Sequence, residues 1–218
     1  MNEQALFDAI KQGDQATVQS LVEQDRGVMN AKDEAGLSPV LLALYFGKTA
    51  IANLMIDAGA SLSLYEATAA GRLAKVEAII DAQPERLNEY SLDGFQALGL
   101  ACFFGHLDVV TYLLSKGAIV NSASQNAMRV MPLHSAVAGD HLAIAQALIE
   151  HGANVNAIQA DDFTPLHGAA QNGNLDMINL LLKHGADVHA KQHDGKQAVD
   201  FAAEAGHQAA VDLLRQRT

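Results

Sequence analysis

A recurring glycine sets the period of this chain. A small-residue pair, two variable residues and then a Gly return at Gly13, Gly47, Gly71, Gly105, Gly173 and Gly206, with Asp140 in the equivalent place once. The steps are 34, 24, 34, 35, 33 and 33 residues, and a period of that size is the mark of stacked repeats rather than of one closed core. Twelve residues after most of these comes a second Gly, at Gly59, Gly117, Gly152 and Gly185, behind "NLMIDA", "TYLLSK", "QALIEH" and "NLLLKH". Apolar residues between the two glycines recur every three or four positions, the stripe of an amphipathic helix, and Gly just past its end is the usual left-handed stop. Each unit is therefore predicted to hold a short helix, a turn and a second helix.

The stretches "GLSPVLLAL", "RVMPLHSAV" and "DFTPLHGAA" open the first helices. They put Pro39, Pro132 and Pro165 at the first helical position, where a missing N–H costs nothing, with Ser38 and Thr164 as N-caps. Gln96, Met131 and Gln197 stand where other units have Ser or Thr, each predicting a loss of about 1 kcal/mol. Asp140 in place of Gly predicts a slightly strained turn. These openings, with "TPLHGAAQNGNLDMINLLLKHGADV" and "GFQALGLACFFGHLDVVTYLLSKGAIVN", resemble the T-P-L-H-x-A and G-A-D-V-N signatures of the ankyrin repeat over nearly the whole chain.

The resemblance implies a mainly α solenoid of about seven helix-turn-helix units joined by β-hairpins, in a single domain over 1–218. Its N-terminal cap is 1–29, its internal repeats 30–62, 63–87, 88–120, 121–155 and 156–188, and its C-terminal cap 189–218. Hairpin tips and first helices of such a stack line a concave wall that binds other proteins, so the expected function is a non-enzymatic protein-interaction module. The resemblance also makes His134 and His167 structural, and Cys102 a buried thiol facing the stack.

Charge narrows the partner. Fourteen Lys and Arg against 25 Asp and Glu give a net charge of −11, and no basic run tracks phosphates, so nucleic acid is not expected. No segment has the roughly 18 apolar residues of a membrane span, and "MNEQALFDAIKQGD" does not read as a secretory signal. The lone Cys102 fits a reducing compartment. The expectation is a cytoplasmic monomer without cofactor, metal or catalytic residues. His189 and His193 have i, i+4 spacing, but "HAKQH" reads as a loop.

The two variable residues before each Gly face the concavity in the resembled fold, and two of these pairs are aromatic: Tyr45 with Phe46, and Phe103 with Phe104. Exposed aromatics are typical interface anchors; the alternative is that one ring of each pair packs against the next unit. Between them lies a shortened unit. Asn30 to Gly47 and Asn156 to Gly173 span 17 residues, whereas Ser63 to Gly71 spans 8, so unit three is predicted to lack its hairpin. Unit five is two residues longer, which places Met128 and Arg129 on an enlarged finger. The expected partner-binding residues are Tyr45, Phe46, Phe95, Phe103, Phe104, Met128 and Arg129, on the face of repeats two to five. Two alternatives stand beside this: a small-ligand or peptide sensor using an apolar notch at repeat three, and a stabilising accessory subunit of an enzyme.

Overall fold

The computed structural model describes residues 2–217; Met1 and Thr218, which the sequence reading assigns to the end caps, lie outside the described residues. Among the described residues fourteen α-helices follow one another and no strand is formed. They are α1 Asn2–Gln12, α2 Gln15–Gln24, α3 Pro39–Tyr45, α4 Thr49–Asp57, α5 Leu64–Ala69, α6 Leu73–Ala82, α7 Ala97–Phe104, α8 Leu107–Ser115, α9 Pro132–Ala138, α10 Leu142–Glu150, α11 Pro165–Asn172, α12 Leu175–Lys183, α13 Ala198–Glu204 and α14 Gln208–Arg215. Helices of six to eleven residues are too short to persist alone in water, so their stability comes from stacking. Successive odd-numbered helices pack on one another, and so do successive even-numbered ones except α4 and α6, which gives an inner and an outer layer.

The connections are not the β-hairpins the resemblance implies. One isolated antiparallel bridge, Tyr90 with Gln96, is all the strand pairing among the described residues. Each finger is instead a turn pinched by a single backbone bond across its neck: Asp33 N–H to Leu37 O, Ser91 to Phe95, Ser124 to Val130, Gln159 to Phe163 and Gln192 to Lys196. From the fourth unit onward neighbouring fingers are also tied together. The amides of Gln125, Ala160 and His193 donate to the carbonyls of Gly94, Met128 and Asp161 of the finger before, at 2.8, 3.0 and 3.1 Å.

Fourteen residues separate Gln24 from Pro39, but only six separate Asp57 from Leu64. The ninth missing residue comes from the inner helix itself. Ser63, the N-cap of α5, stands eight residues before its central Gly71, whereas Ser38 and Thr164 stand nine before theirs. The shortening divides the interior. One hydrophobic cluster runs from Leu6 to Ala69 and a second from Leu64 to Leu214, with Leu62 touching both.

Polar contacts replace the lost packing at this seam. Glu66, 5% exposed, closes a capping box with Ser63 and lies 3.7 Å from the Lys32 ammonium. Burial raises its carboxyl pKa, but hydrogen bonds to Ser38 and Ser63 together with Lys32 hold it below the ordinary carboxylate range. Arg72 donates to Asn53 Oδ1 at 2.8 Å.

The central glycines are required where the next unit crowds them. His106 and His141 bond back to Ala69 O and Phe103 O of the preceding unit at 2.9 and 3.1 Å. A methyl on Gly105, whose φ is +83°, would lie 2.5 Å from the His141 ring. Asp140 has a left-handed φ of 61°, as the strained turn predicts. It is accommodated because the next unit offers Asn174 instead of His, and the Asn174 amide donates to its carboxylate at 2.5 Å. The Gln96 and Gln197 side-chain amides do not replace the missing cap acceptors, since they donate away from the helix to Asn88 O and His189 O; at Gln197 the Asp200 carboxylate accepts from the backbone N–H at 2.9 Å. Met131 makes no side-chain cap bond, and the Nδ1 of buried His134 is left without a partner.

Candidate functional site

The concave side carries a cleft of about 490 Å³. Its floor is the inner helices α7, α9 and α11, and its wall is the row of linked fingers, so the ties between fingers hold the wall in register. Phe95 from the fourth finger, Phe103 from α7, Met128 and Val130 from the fifth finger and Phe163 from the sixth supply its apolar surface. Phe103 is 44% exposed and Met128 54%, the combination expected of side chains that gain by being covered.

Of the seven residues expected at the site, Tyr45, Phe95, Phe103 and Met128 line this cleft. Phe46 is exposed outside it, and Phe104 is half-buried. One ring of each aromatic pair thus packs inward: Tyr45 and Phe104 meet at 5.6 Å between centroids. Phe104 also sits edge-on to Phe103 at 5.1 Å, which props Phe103 toward the cleft. Arg129 is exposed at the tip of the fifth finger in a left-handed conformation, φ 51°, and does not line the cleft.

The gap left by the missing finger is spanned. The Tyr45 hydroxyl donates to Asp93 Oδ2 at 2.5 Å, from α3 to the fourth finger. Burial, then the Asp93 carboxylate, pushes its phenol well above the ordinary value. The Leu92 side chain comes within 3.3 Å of where a Cβ on Gly36 would stand, so second and fourth fingers touch. Tyr45 and Asp93 thus bridge the short connection between α4 and α5, and the cleft lies further along, over α7, α9 and α11. Gln159, Gln171, Asn172 and Gln192 form its polar margin and are not among the seven expected residues. Gln171 and Asn172 are the variable pair before Gly173, the signal that would have found them.

The remaining candidates for chemistry are structural. His134 Nε2 bonds Phe163 O and His167 Nε2 bonds Ala190 O, both at 3.1 Å, so each imidazole links its unit to the next finger. Burial drives the His134 pKa down to about 4, against the bond to Phe163, and lowers that of His167. Cys102 is fully buried, which pushes its thiol far above the reactive range. Among the described residues no three His, Cys, Asp or Glu converge as a metal cluster would, and no helix is long and apolar enough to cross a membrane.

Comparison with known proteins accounts for this architecture. Two family models match, one described as ankyrin repeats in three copies over residues 64–159 and one as ankyrin repeats in many copies over residues 148–202. The chain is 32% identical to ankyrin repeat protein nuc-2 of Neurospora crassa over 46% of its length and 9% of that protein. It is 30% identical to the ankyrin repeat and KH domain-containing protein mask-1 of Caenorhabditis elegans, over 66% of the chain and 6% of the relative. It is 29% identical to alpha-latrocrustotoxin-Lt1a of Latrodectus tredecimguttatus, over 53% and 9%. The chain therefore spans less than a tenth of each of these relatives.

Proposed function

The chain belongs to the ankyrin-repeat family, whose repeats serve as protein-interaction modules, and from that premise we propose that it binds a partner protein through the cleft over its fourth to sixth repeats. In this reading it is one domain of seven repeats with the boundaries given above, and the third, residues 63–87, has no finger. The observation that carries the proposal is the cleft itself: about 490 Å³, walled by exposed Phe103 and Met128 on a scaffold whose fingers are tied together. Tyr, Phe and Met in a concave, largely apolar site are what interface anchors require. The proposed binding face thus lies over repeats four to six, further along the stack than the two-to-five face expected from sequence. A ligand notch at repeat three gains no support, because Tyr45 and Leu92 occupy that place.

Site-directed photo-crosslinking in the source cells tests this. A crosslinker at Met128 or Gln171 should trap one defined partner, and one at Lys75 or Glu150, exposed on the outer layer, should not. Phe103→Ala should reduce the adduct at least tenfold. Adducts formed from the outer positions, or unaffected by Phe103→Ala, would refute the cleft as the binding face.

A further inference from the structure

The polar margin of the cleft names its occupant. Gln159, Gln171 and Gln192 line it, and their side-chain amides make no hydrogen bond among the described residues. A primary amide is both donor and acceptor, so a row of free amides beside an apolar trough matches the alternating N–H and C=O of an extended backbone. A helix would hide those groups in its own hydrogen bonds, and a folded surface presents few of them.

Charge sets the second requirement. Asp161 is the one carboxylate lining the cleft, with Asp162 beside it at the tip of the sixth finger. Neither carboxylate is in an ion pair among the described residues. The nearby Lys196 is already held by Asp194 and Glu204. The chain as a whole carries −11, which steers cations toward it.

We infer that the cleft takes an extended, basic segment of the partner: one large apolar side chain seated among Phe95, Phe103 and Met128, the flanking backbone read by Gln159, Gln171 and Gln192, and a Lys or Arg paired with Asp161. This rests on the cleft being the binding face. It adds that recognition is of a linear segment, so the segment binds after it is cut from its protein.

The test uses a phage-displayed library of random linear 12-residue peptides, panned on the full chain at physiological salt and counter-selected on the Phe103→Ala variant. Surviving peptides are expected to share a large apolar residue with a Lys or Arg within a few positions. Asp161→Lys should weaken them about tenfold, and methylating the backbone nitrogen next to the anchor should weaken them as much. Survivors rich in Asp or Glu, or indifferent to Asp161→Lys, would overturn the charge assignment and leave the cleft as the binding face. Survivors indifferent to N-methylation would overturn backbone reading. If every peptide binds the Phe103→Ala variant as well as the parent, the cleft itself fails with the inference.

Discussion

Replacing Met131 with Thr should stabilise the protein, because one unit lacks a device that the next unit shows complete. In α11 the Thr164 side chain accepts from His167 N–H at 3.4 Å and meets His167 Nδ1 at 3.0 Å. In α9 the N-cap is Met131, no side-chain cap forms, and the Nδ1 of His134 is buried without a partner. The backbones already agree: φ and ψ are −94° and 160° at Met131, and −99° and 163° at Thr164. A Thr would therefore drop into place without moving the chain. A restored N-cap is worth about 1 kcal/mol, and satisfying a buried polar atom adds on the order of another. Against this, the Met131 thioether belongs to neither hydrophobic cluster, so little packing is lost. The expected gain is roughly 1–2 kcal/mol, or a few degrees in Tm for a chain of this size. Urea titration with hydrogen exchange read at α9 is the suitable assay, since repeat arrays need not unfold in one step. Met131→Val keeps the extended backbone and lacks the hydroxyl, so it should gain nothing. A Val variant as stable as the Thr variant, or a Thr variant no better than the parent, would refute the hydrogen-bond reasoning.

The histidines make the fold acid-sensitive above the carboxylate range. With the His134 pKa lowered from 6.5 to about 4, the unfolded chain takes up a proton that the folded one refuses. Stability is full above pH 6.5 and falls by at most about 3 kcal/mol down to pH 4. Urea midpoints between pH 7.5 and 4.5 should show this slope, and His134→Gln should flatten it. Glu66 acts lower and in the other group: its depressed pKa gives stability that is present above the unfolded carboxyl value and lost as pH falls through the folded one. Glu66→Gln should cost about 2 kcal/mol at pH 7, little below pH 4, and hydrogen exchange should rise in α1 to α4 more than in α11 and α12; a uniform rise would refute the seam. Gly105→Ala should cost at least about 1 kcal/mol more than Gly47→Ala, because both have positive φ but only Gly105 is covered by a His ring; equal melting shifts would show that the ring gives way freely.

The helices were legible in the sequence because they depend on local signals. Pro39, Pro132 and Pro165 start them, the glycines stop them, and the 33-residue period fixes how they stack. The fingers were misjudged as β-hairpins because the signature that names them reports turn residues, such as Asp93 and Gly94, and says nothing of ladder length. Half of the candidate site was legible for a similar reason. Which positions face the concavity in the resembled fold follows from the period and points to Phe103, whereas Met128 follows from the two extra residues of its finger. Whether Tyr45 is free or engaged depends on Asp93, 48 residues on, and no local pattern carries that pairing. Gln96 shows the same limit, since its amide serves the backbone of Asn88 rather than the helix it precedes.

The missing finger and the cleft are parts of one arrangement. A wall of fingers tied amide to carbonyl must end somewhere, and at its N-terminal end the fourth finger has no third finger to donate to. Leu92 N–H, in the place of Gln125, Ala160 and His193 in the later fingers, has no backbone acceptor among the described residues. On that open side the finger is held by the Tyr45 hydroxyl on Asp93, with the largely exposed Leu92 side chain lying beside Gly36. Tyr45 is also the one residue from the first three units that lines the cleft. The deletion therefore sets where the cleft stops and puts a phenol ring, rather than another finger, across its end. With a third finger in place, Tyr45 would be covered, and the trough would run on toward the N-terminus as an open groove.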